Sequence, residues 1–446
     1  MPAFPRVRVK FLAGNENTSM PPEMIDTLVV GAGQAGIAMS EHLSKCGIPH
    51  LVLERHRIAE RWRSERWDSL VTNGPAWHDR FPGMAFPDAH PDDFVPKEKV
   101  ADYFVAYAEK IKAPIRVGVE VQKVRRLMGR PGYCAETSHG TIEATNVVVA
   151  TGAFHHPVLP GLVPHEAGVL QLHSNGYRNP ALLPEGAVLV VGAGSSGGQI
   201  ADELLRAGRR VYLSVGPHAR PPRAYRQRDY CWWMGMLGKW EASAPTPGAQ
   251  HVTLSVSGAN GGHTVDFRRY AARGMTLLGM TRSYRDGTVA FSPDLAANLA
   301  RGDADYRAVL DEADAYAARN GLDLPEEPGA RLSEPDPPCV TDPILALNLR
   351  DAGITSIIWA TGYAFDYGWV EVDAFDSDGK PRHQRGVSTE PGLYFLGLPW
   401  QSRRGSSFIW GVWHDARYLA DQISIQRSYR AYDDYARRER IGASRK

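Results

Sequence analysis

The run IDTLVVGAGQAGIAMSEHLSKCGIPHLVLER, Ile25 to Arg55, decides the fold. An apolar stretch, Leu28-Val29-Val30, stops at glycines spaced G-x-G-x-x-G: Gly31, Gly33 and Gly36. A helix-patterned segment follows, then a second apolar stretch, Leu51-Val52-Leu53, that runs into Glu54 and Arg55. Gly31 permits the tight turn out of the strand, Gly33 lets a pyrophosphate reach the backbone, and Gly36 lets the helix pack closely on the sheet. The helix N-terminus presents free N–H groups and the positive end of its dipole to the phosphates. Glu54 stands about 20 residues past the glycines, where an acid hydrogen-bonds a ribose hydroxyl. Three glycines alone are a weak signal, because a turn can use them and bind nothing. With strand, helix and acid in place, the stretch reads as a dinucleotide site with contacts at Gly31, Ala32, Gly33, Gln34, Ala35, Gly36, Glu54 and Arg55.

The same unit returns as AVLVVGAGSSGGQIADELLRAGRRVYLSVG, Ala187 to Gly216. Its turn carries Gly192, Gly194, Ser195, Ser196 and Gly197; the serines can donate to a pyrophosphate or simply serve as small turn residues. Two copies in one chain are far more specific than one. The second copy ends its second strand on Ser214-Val215 with no acid, and HARPPRAYRQRD follows with Arg220, Arg223, Arg226 and Arg228. Loss of the carboxylate and gain of arginine is the pattern for a cofactor with a 2′-phosphate, which a guanidinium grips bidentately. Arg220 and Arg223 are the chosen contacts, with a solvated basic loop as the plain alternative. The first site therefore suits FAD and the second NADPH. The expected architecture is α/β, two Rossmann-like domains: an FAD domain at 24–160 and 350–426 and an inserted NADPH domain, enlarged by an insertion, at 161–349.

Between these units lies a Trp-rich segment (Trp62, Trp67, Trp77) that bends at Asn73-Gly74-Pro75 and reads as a long functional loop. Residues 96–112 have helical spacing, 114–122 and 141–150 read as strands, 299–320 as a helix, and 331–344 as a Pro-rich connector. Ala150-Thr151-Gly152 is echoed by Ala360-Thr361-Gly362. A strand is expected at Leu393–Leu396, a loop with Gly405-Ser406-Ser407, and a helix from about Gly411; residues 1–23 are expected to be a disordered leader and 427–446 a charged surface tail.

Composition narrows the function. Of 446 residues, 43% are hydrophobic and 23% charged, with net charge +1, which points to neither nucleic acid nor a membrane surface. Cys46, Cys134, Cys231 and Cys339 form no C-x-x-C pair, so neither a thiol redox motif nor a zinc site is expected. No run approaches a bilayer span, and a cytoplasmic location is expected. Two dinucleotides in one chain imply hydride transfer from nicotinamide to flavin. Without paired cysteines, the electron acceptors left are a partner protein and oxygen.

In this order the motifs VVGAGQAG, Arg61-Trp62, SLVTNGP (Ser69–Pro75), ATGAFHHPVLPG, HSNGYRNP (His173–Pro180), VVGAGSSGGQIA, WATGY (Trp359–Tyr363) and FLGLP resemble the class B flavin-dependent monooxygenases. These include the flavin-containing monooxygenases, their YUCCA and Baeyer–Villiger relatives, and bacterial flavoproteins labelled cation-efflux or potassium-transport oxidoreductases. The resemblance covers about residues 24–425. It implies that NADPH reduces FAD, that reduced flavin and O2 give a flavin hydroperoxide, and that one oxygen passes to a nitrogen, sulfur or carbonyl centre of a small molecule. Asn73 matches the active-site asparagine beside the flavin edge; an Asn-Gly-Pro turn residue is the alternative. Arg61 and Trp62 would lie at the FAD, Trp62 being equally at home as a core residue. His173, Ser174 and Tyr177 match an interdomain signature and suit interdomain hydrogen bonding better than proton transfer. Gly405 to Gly411 would bring a helix N-terminus to the flavin.

Two departures matter. Tyr177 replaces the tryptophan of the Baeyer–Villiger fingerprint, which lowers ketone insertion, and Gln199 stands where the flavin-containing monooxygenases usually have an acid. A reductase or oxidase feeding another protein, and a redox accessory protein for ion transport, are the competing readings; a homodimer is compatible with each. The segments near Trp62–His78, Trp232-Trp233, Trp410 and Trp413 would line a pocket for an aromatic or apolar substrate.

Overall fold

The computed structural model describes residues 22–244 and 254–443. The opening stretch folds as read: β1 (Glu23–Val30), α1 (Gln34–Lys45) and β2 (His50–Glu54). Glu23 belongs to β1, so it is not part of a leader; residues 1–21 lie outside the described residues. A short helix at Glu60–Ser64 interrupts the Trp-rich loop, and α2 (Lys97–Lys110) buries Val100, Tyr103, Phe104 and Tyr107, the helical stripe of the sequence. The first sheet continues with β3 (Ile115–Val117), β4 (Val121–Arg126), β5 (Tyr133–Thr137) and β6 (Gly140–Val149). β1 pairs in parallel with β2 and β6, and β2 with β3. β6 divides its partners: its first half pairs antiparallel with β5, while Val147–Val149 run parallel to Leu393–Phe395.

The second sheet contains β7 (Leu170–His173), β8 (Ala187–Val191), β9 (Val211–Ser214), β10 (Thr276–Leu278) and β11 (Ile354–Trp359). Its order is β10-β9-β8-β11-β7, parallel throughout. All five residues of β8 and all four of β9 are buried, because the helix at Ser195–Arg206 covers one face of the sheet and Val289, Phe291 and Leu349 of an antiparallel three-stranded layer cover the other. β11 corrects the expected domain boundary: residues 354–359 close the second sheet, and the chain returns to the first domain only after Ala360-Thr361-Gly362.

The two ATG segments occupy matching places. Each follows the strand beside the first strand of its unit, β6 next to β1 and β11 next to β8. A side-chain carbon on Gly31 (φ +105°) would sit 2.7 Å from the Ala150 carbonyl oxygen, and one on Gly192 (φ +114°) 2.4 Å from that of Ala360. The repeated ATG is thus the floor under each glycine turn.

The enlarged part of the second domain adds α3 (Ser195–Arg206, the helix of the repeat), α4 (Tyr230–Met236) and α5 (Leu295–Arg319), with a core of its own around Trp233, Leu310 and Ala313. The last strand, β12 (Leu393–Phe395), leads to α6 (Ile409–Ala443). α6 runs on through residues 427–443 of the expected surface tail, where most of the described side chains are exposed; polar contacts hold the start of that stretch, with Arg427 Nε 3.6 Å from Asp26 Oδ2 and Arg430 donating to Asn146 Oδ1 at 3.1 Å. Docking through arginines leaves no apolar stripe for a periodicity reading to find.

Candidate active site

Both glycine turns open on one cavity of about 870 Å³ between the two sheets. Gly31, Gly33, Gln34, Glu54 and Arg55 line it from the first domain, Ser195, Ser196 and Gln199 from the second, and Asn73 sits between them. The turns are built alike. A side-chain carbon on Gly36 would lie 1.8 Å from the Gly31 carbonyl oxygen, and one on Gly197 1.9 Å from that of Gly192. At Gly33, which lines the cavity, and at Gly194, the residue before Ser195, the same carbon would meet nothing within 4 Å, so the backbone is uncovered at both. Glu54 closes the first turn by accepting from the Ala32 N–H at 2.9 Å and the His56 N–H at 2.9 Å.

Arg61 is the clearest unmet donor at the first turn. Its Nη1 is buried without a partner, and burial pulls its pKa down against the opposing pull of Glu65. A buried cationic donor facing open volume costs free energy until an acceptor arrives. Trp62 packs against the cores of both domains and also lines the cavity, so its two alternative readings coexist. The start of α6 lies opposite: Ser407, Phe408 and Ile409 reach the cavity, and Gln34 Nε2 donates to the Ser407 carbonyl at 2.9 Å. The first N–H groups of a helix have no intrahelical partners and favour negative charge.

Asn73 is held at two points, its side-chain oxygen and its backbone oxygen. Gln199 Nε2 donates to its Oδ1 at 2.8 Å and to the Val256 carbonyl at 2.6 Å, while Arg223 donates to the Asn73 backbone oxygen at 2.6 Å. With Oδ1 engaged, the Asn73 amide has its NH2 free for the cleft. Ser195 Oγ donates to the Leu254 carbonyl at 2.7 Å, a tie within the second domain. His173 Nε2 bonds the Gly362 oxygen at 2.9 Å, and Tyr177 donates to Glu203 at 2.7 Å. The other oxygen of Glu203 accepts from Ser69 of the Trp-rich loop at 2.7 Å, so this stretch does bridge the domains.

The two chosen arginines do not line the cavity. Arg220 is buried and bridges Asp266 at 3.0 Å and Asp303 at 2.8 Å. Arg223 takes Asp229 through two bonds of 2.8 Å. Both guanidinium groups are committed to aspartates, which corrects the expectation that they stand free for a 2′-phosphate. Asp266 and Asp303 lie far from Arg220 in sequence and left no local signal, whereas Asp229 closes the basic run itself, six residues past Arg223, and was readable there as a partner.

Sequence reading also missed His78 and Asp79, which line the same cavity. Their only sequence signal is a His-Asp pair inside the Trp-rich loop.

The family model described as "Pyridine nucleotide-disulphide oxidoreductase" matches residues 28–228. The chain is similar in fold to the flavin-containing monooxygenase from Stenotrophomonas maltophilia, with a TM-score of 0.63 at 18% identity over 91% of this chain and 99% of that one. Fold and shared cleft define the class, a flavoprotein oxidoreductase with two dinucleotide-binding domains. In sequence it is 33% identical over 404 residues to "Uncharacterized oxidoreductase CzcO-like" of Geobacillus kaustophilus (strain HTA426), covering 90% of this chain and 98% of that one. It is 26% identical to "Probable indole-3-pyruvate monooxygenase YUCCA4" of Arabidopsis thaliana, over 90% of each chain. The chain belongs to the CzcO-like oxidoreductase family, within the class B flavin-dependent monooxygenases its motifs resemble. Among the described residues no helix is long and apolar enough to cross a membrane.

Proposed function

We propose that this chain is an FAD- and NADPH-dependent monooxygenase that places one oxygen atom of O2 on a small organic substrate. The observation that carries the reading is the cavity shared by the two glycine turns: two dinucleotides seated there would have their redox ends in one chamber. FAD, when bound, supplies two-electron acceptance from a nicotinamide and the activation of dioxygen. The residues fit it. Gly31, Gly33 and Gly36 with Ala32, Gln34 and Ala35 would form the pyrophosphate cradle, Glu54 and Arg55 would hold the ribose end, and Arg61 and Trp62, which line the same cavity, would border the ring. Gly192, Gly194, Ser195, Ser196 and Gly197 would form the second cradle. The missing acid at Ser214-Val215 supports a phosphorylated nucleotide there; Arg220 and Arg223, already paired, are not proposed as its partners.

Asn73 presents its amide NH2 as a hydrogen-bond donor at the junction of the two sites. Leu70, Leu254, Val256, Trp240 and Phe408 give the cavity an apolar stretch of wall, which would limit water there and so loss of reducing equivalents as hydrogen peroxide. Cys231 is the one cysteine among the lining residues, so the cavity holds no thiol pair for disulfide reduction. The test is turnover under ¹⁸O2 with NADPH and a panel of indoles, amines, sulfides and ketones. A product carrying one ¹⁸O supports the reading; NADPH consumption yielding only hydrogen peroxide with every compound overturns it and leaves an oxidase or reductase.

A further inference from the structure

Part of the cavity wall is built from aromatic residues around one imidazole. His78 stacks on Trp240 with ring centroids 5.5 Å apart, and its centroid lies 5.3 Å from that of Trp77 and 5.2 Å from that of Trp410. Phe408 and Tyr230 complete the wall through Trp240. His78, Asp79, Trp240 and Tyr230 all line the cavity. This is an apolar chamber with little that can exchange a proton.

His78 is held in one orientation. Its Nδ1 is 2.8 Å from Asp79 Oδ1, and Asp79 Oδ2 accepts from the Gly74 N–H at 2.8 Å. A carboxylate that already accepts from a backbone N–H takes the imidazole proton on Nδ1, which leaves the Nε2 lone pair unused. Gly74 is required for this arrangement, since a side-chain carbon there would sit 2.5 Å from Asp79 Oδ1. The dyad is therefore tied by its carboxylate to the residue after Asn73. The other ionisable groups facing the ring from the packed elements are few. Tyr230 and Cys231 of α4 are both kept neutral by burial, with pKa values pushed up. Glu241, beside Trp240, is paired with Arg403, and His414 lies one turn along α6 from Trp410.

We propose that His78, oriented by Asp79, is the proton acceptor for the substrate in this chamber. Resting on the monooxygenase reading, it gives the site a preference for an apolar or aromatic body bearing an ionisable N–H. In the step assigned to it, the N–H bond of a bound ammonium breaks, the proton forms a bond to His78 Nε2, and the electron pair stays on nitrogen as the nucleophile. The imidazolium so formed is stabilised by the Asp79 carboxylate. His78 is the catalytic residue here and Asp79 the positioning residue.

The probes are N,N-dimethylbenzylamine, protonated at neutral pH, and methyl phenyl sulfide, which has no proton to lose. With the FAD-loaded full chain, His78→Gln is expected to lower the amine-to-sulfide ratio of kcat/KM by about 100-fold, within the range of a positioned general base. Asp79→Asn is expected to lower the same ratio by about tenfold. In the wild type the amine kcat/KM should reach its plateau at a lower pH than in His78→Gln, where it should keep rising toward the amine's own pKa. Equal loss on both probes, or an unchanged pH profile, overturns the assignment. If the wild type oxygenates neither probe, the monooxygenase reading is still decided separately by the full substrate panel, and amine binding followed by tryptophan fluorescence decides this assignment: weaker binding by His78→Gln at pH 7 supports the contact, and equal binding overturns it.

Discussion

At the scale of single residues, Asn73 and its ties matter most. Its side chain is pinned through Oδ1 by Gln199 and its backbone by Arg223, so its amide hydrogens have one direction left. Asn73→Ala removes that donor, and Gln199→Leu frees the amide to turn. A hydrogen bond of about 1–1.5 kcal/mol corresponds to about tenfold in partitioning. Both variants are expected to divert several-fold more NADPH electrons into hydrogen peroxide, measured as peroxide formed per NADPH oxidised with substrate present. Unchanged coupling in Asn73→Ala would remove Asn73 from the chemistry. Asn73 was legible because its motif, SLVTNGP, is local. Gln199 was legible only as a departure from a family pattern, because its partners at 73 and 256 are far off in the chain.

At the scale of elements, the two glycine turns can be broken independently. Gly36→Ala and Gly197→Ala each force a methyl into a carbonyl oxygen, at 1.8 and 1.9 Å, and overpacking of this kind costs about 1–3 kcal/mol. Gly36→Ala is expected to purify colourless. Gly197→Ala is expected to stay yellow while its KM for NADPH rises at least about tenfold, read by absorbance and by initial rates. α1 also carries a pH-sensitive contact. His42 is buried against Trp413 of α6, ring centroids 4.3 Å apart, and burial lowers its pKa to about 4 from 6.5. The folded state thus favours neutral His42, and its stability contribution is present above pH 6.5 and lost as the pH falls toward 4. The linkage is worth about 3 kcal/mol. His42→Leu should flatten the fall of Tm between those pH values. Strand, turn and helix of each unit were legible because period and glycine spacing are local. β11 was not: a buried parallel strand is an apolar run on any sheet, and nothing within Ile354–Trp359 says which one it joins.

At the scale of the whole molecule, the arginines expected to choose the nucleotide instead hold the domains in shape. Arg223 lies between Phe94 and Tyr230, with its guanidinium carbon 5.0 and 5.9 Å from the ring centroids, and it joins the enlarged second domain to the Asn73 loop. Arg220 neutralises two buried aspartates of the same domain. Their sequence run, rich in arginine just past a strand without an acid, is what a phosphate site looks like; tertiary pairing with Asp229, Asp266 and Asp303 makes it a scaffold. The two roles predict different kinetics. A phosphate grip lost in Arg223→Met would raise KM for NADPH and leave NADH untouched. An interdomain tie lost would act on both nucleotides alike and raise peroxide leakage as Asn73→Ala does, because the Asn73 backbone loses its anchor. Removing one partner of a buried ion pair costs about 3–5 kcal/mol, so Arg220→Met should lower Tm more than any change at the exposed Arg228. The expected result is an NADPH-to-NADH ratio of kcat/KM within about twofold of wild type in Arg223→Met, a factor worth less than 0.5 kcal/mol on the scale of about 1.4 kcal/mol per tenfold, with coupling reduced. A ratio that collapses while coupling holds would return Arg223 to the nucleotide.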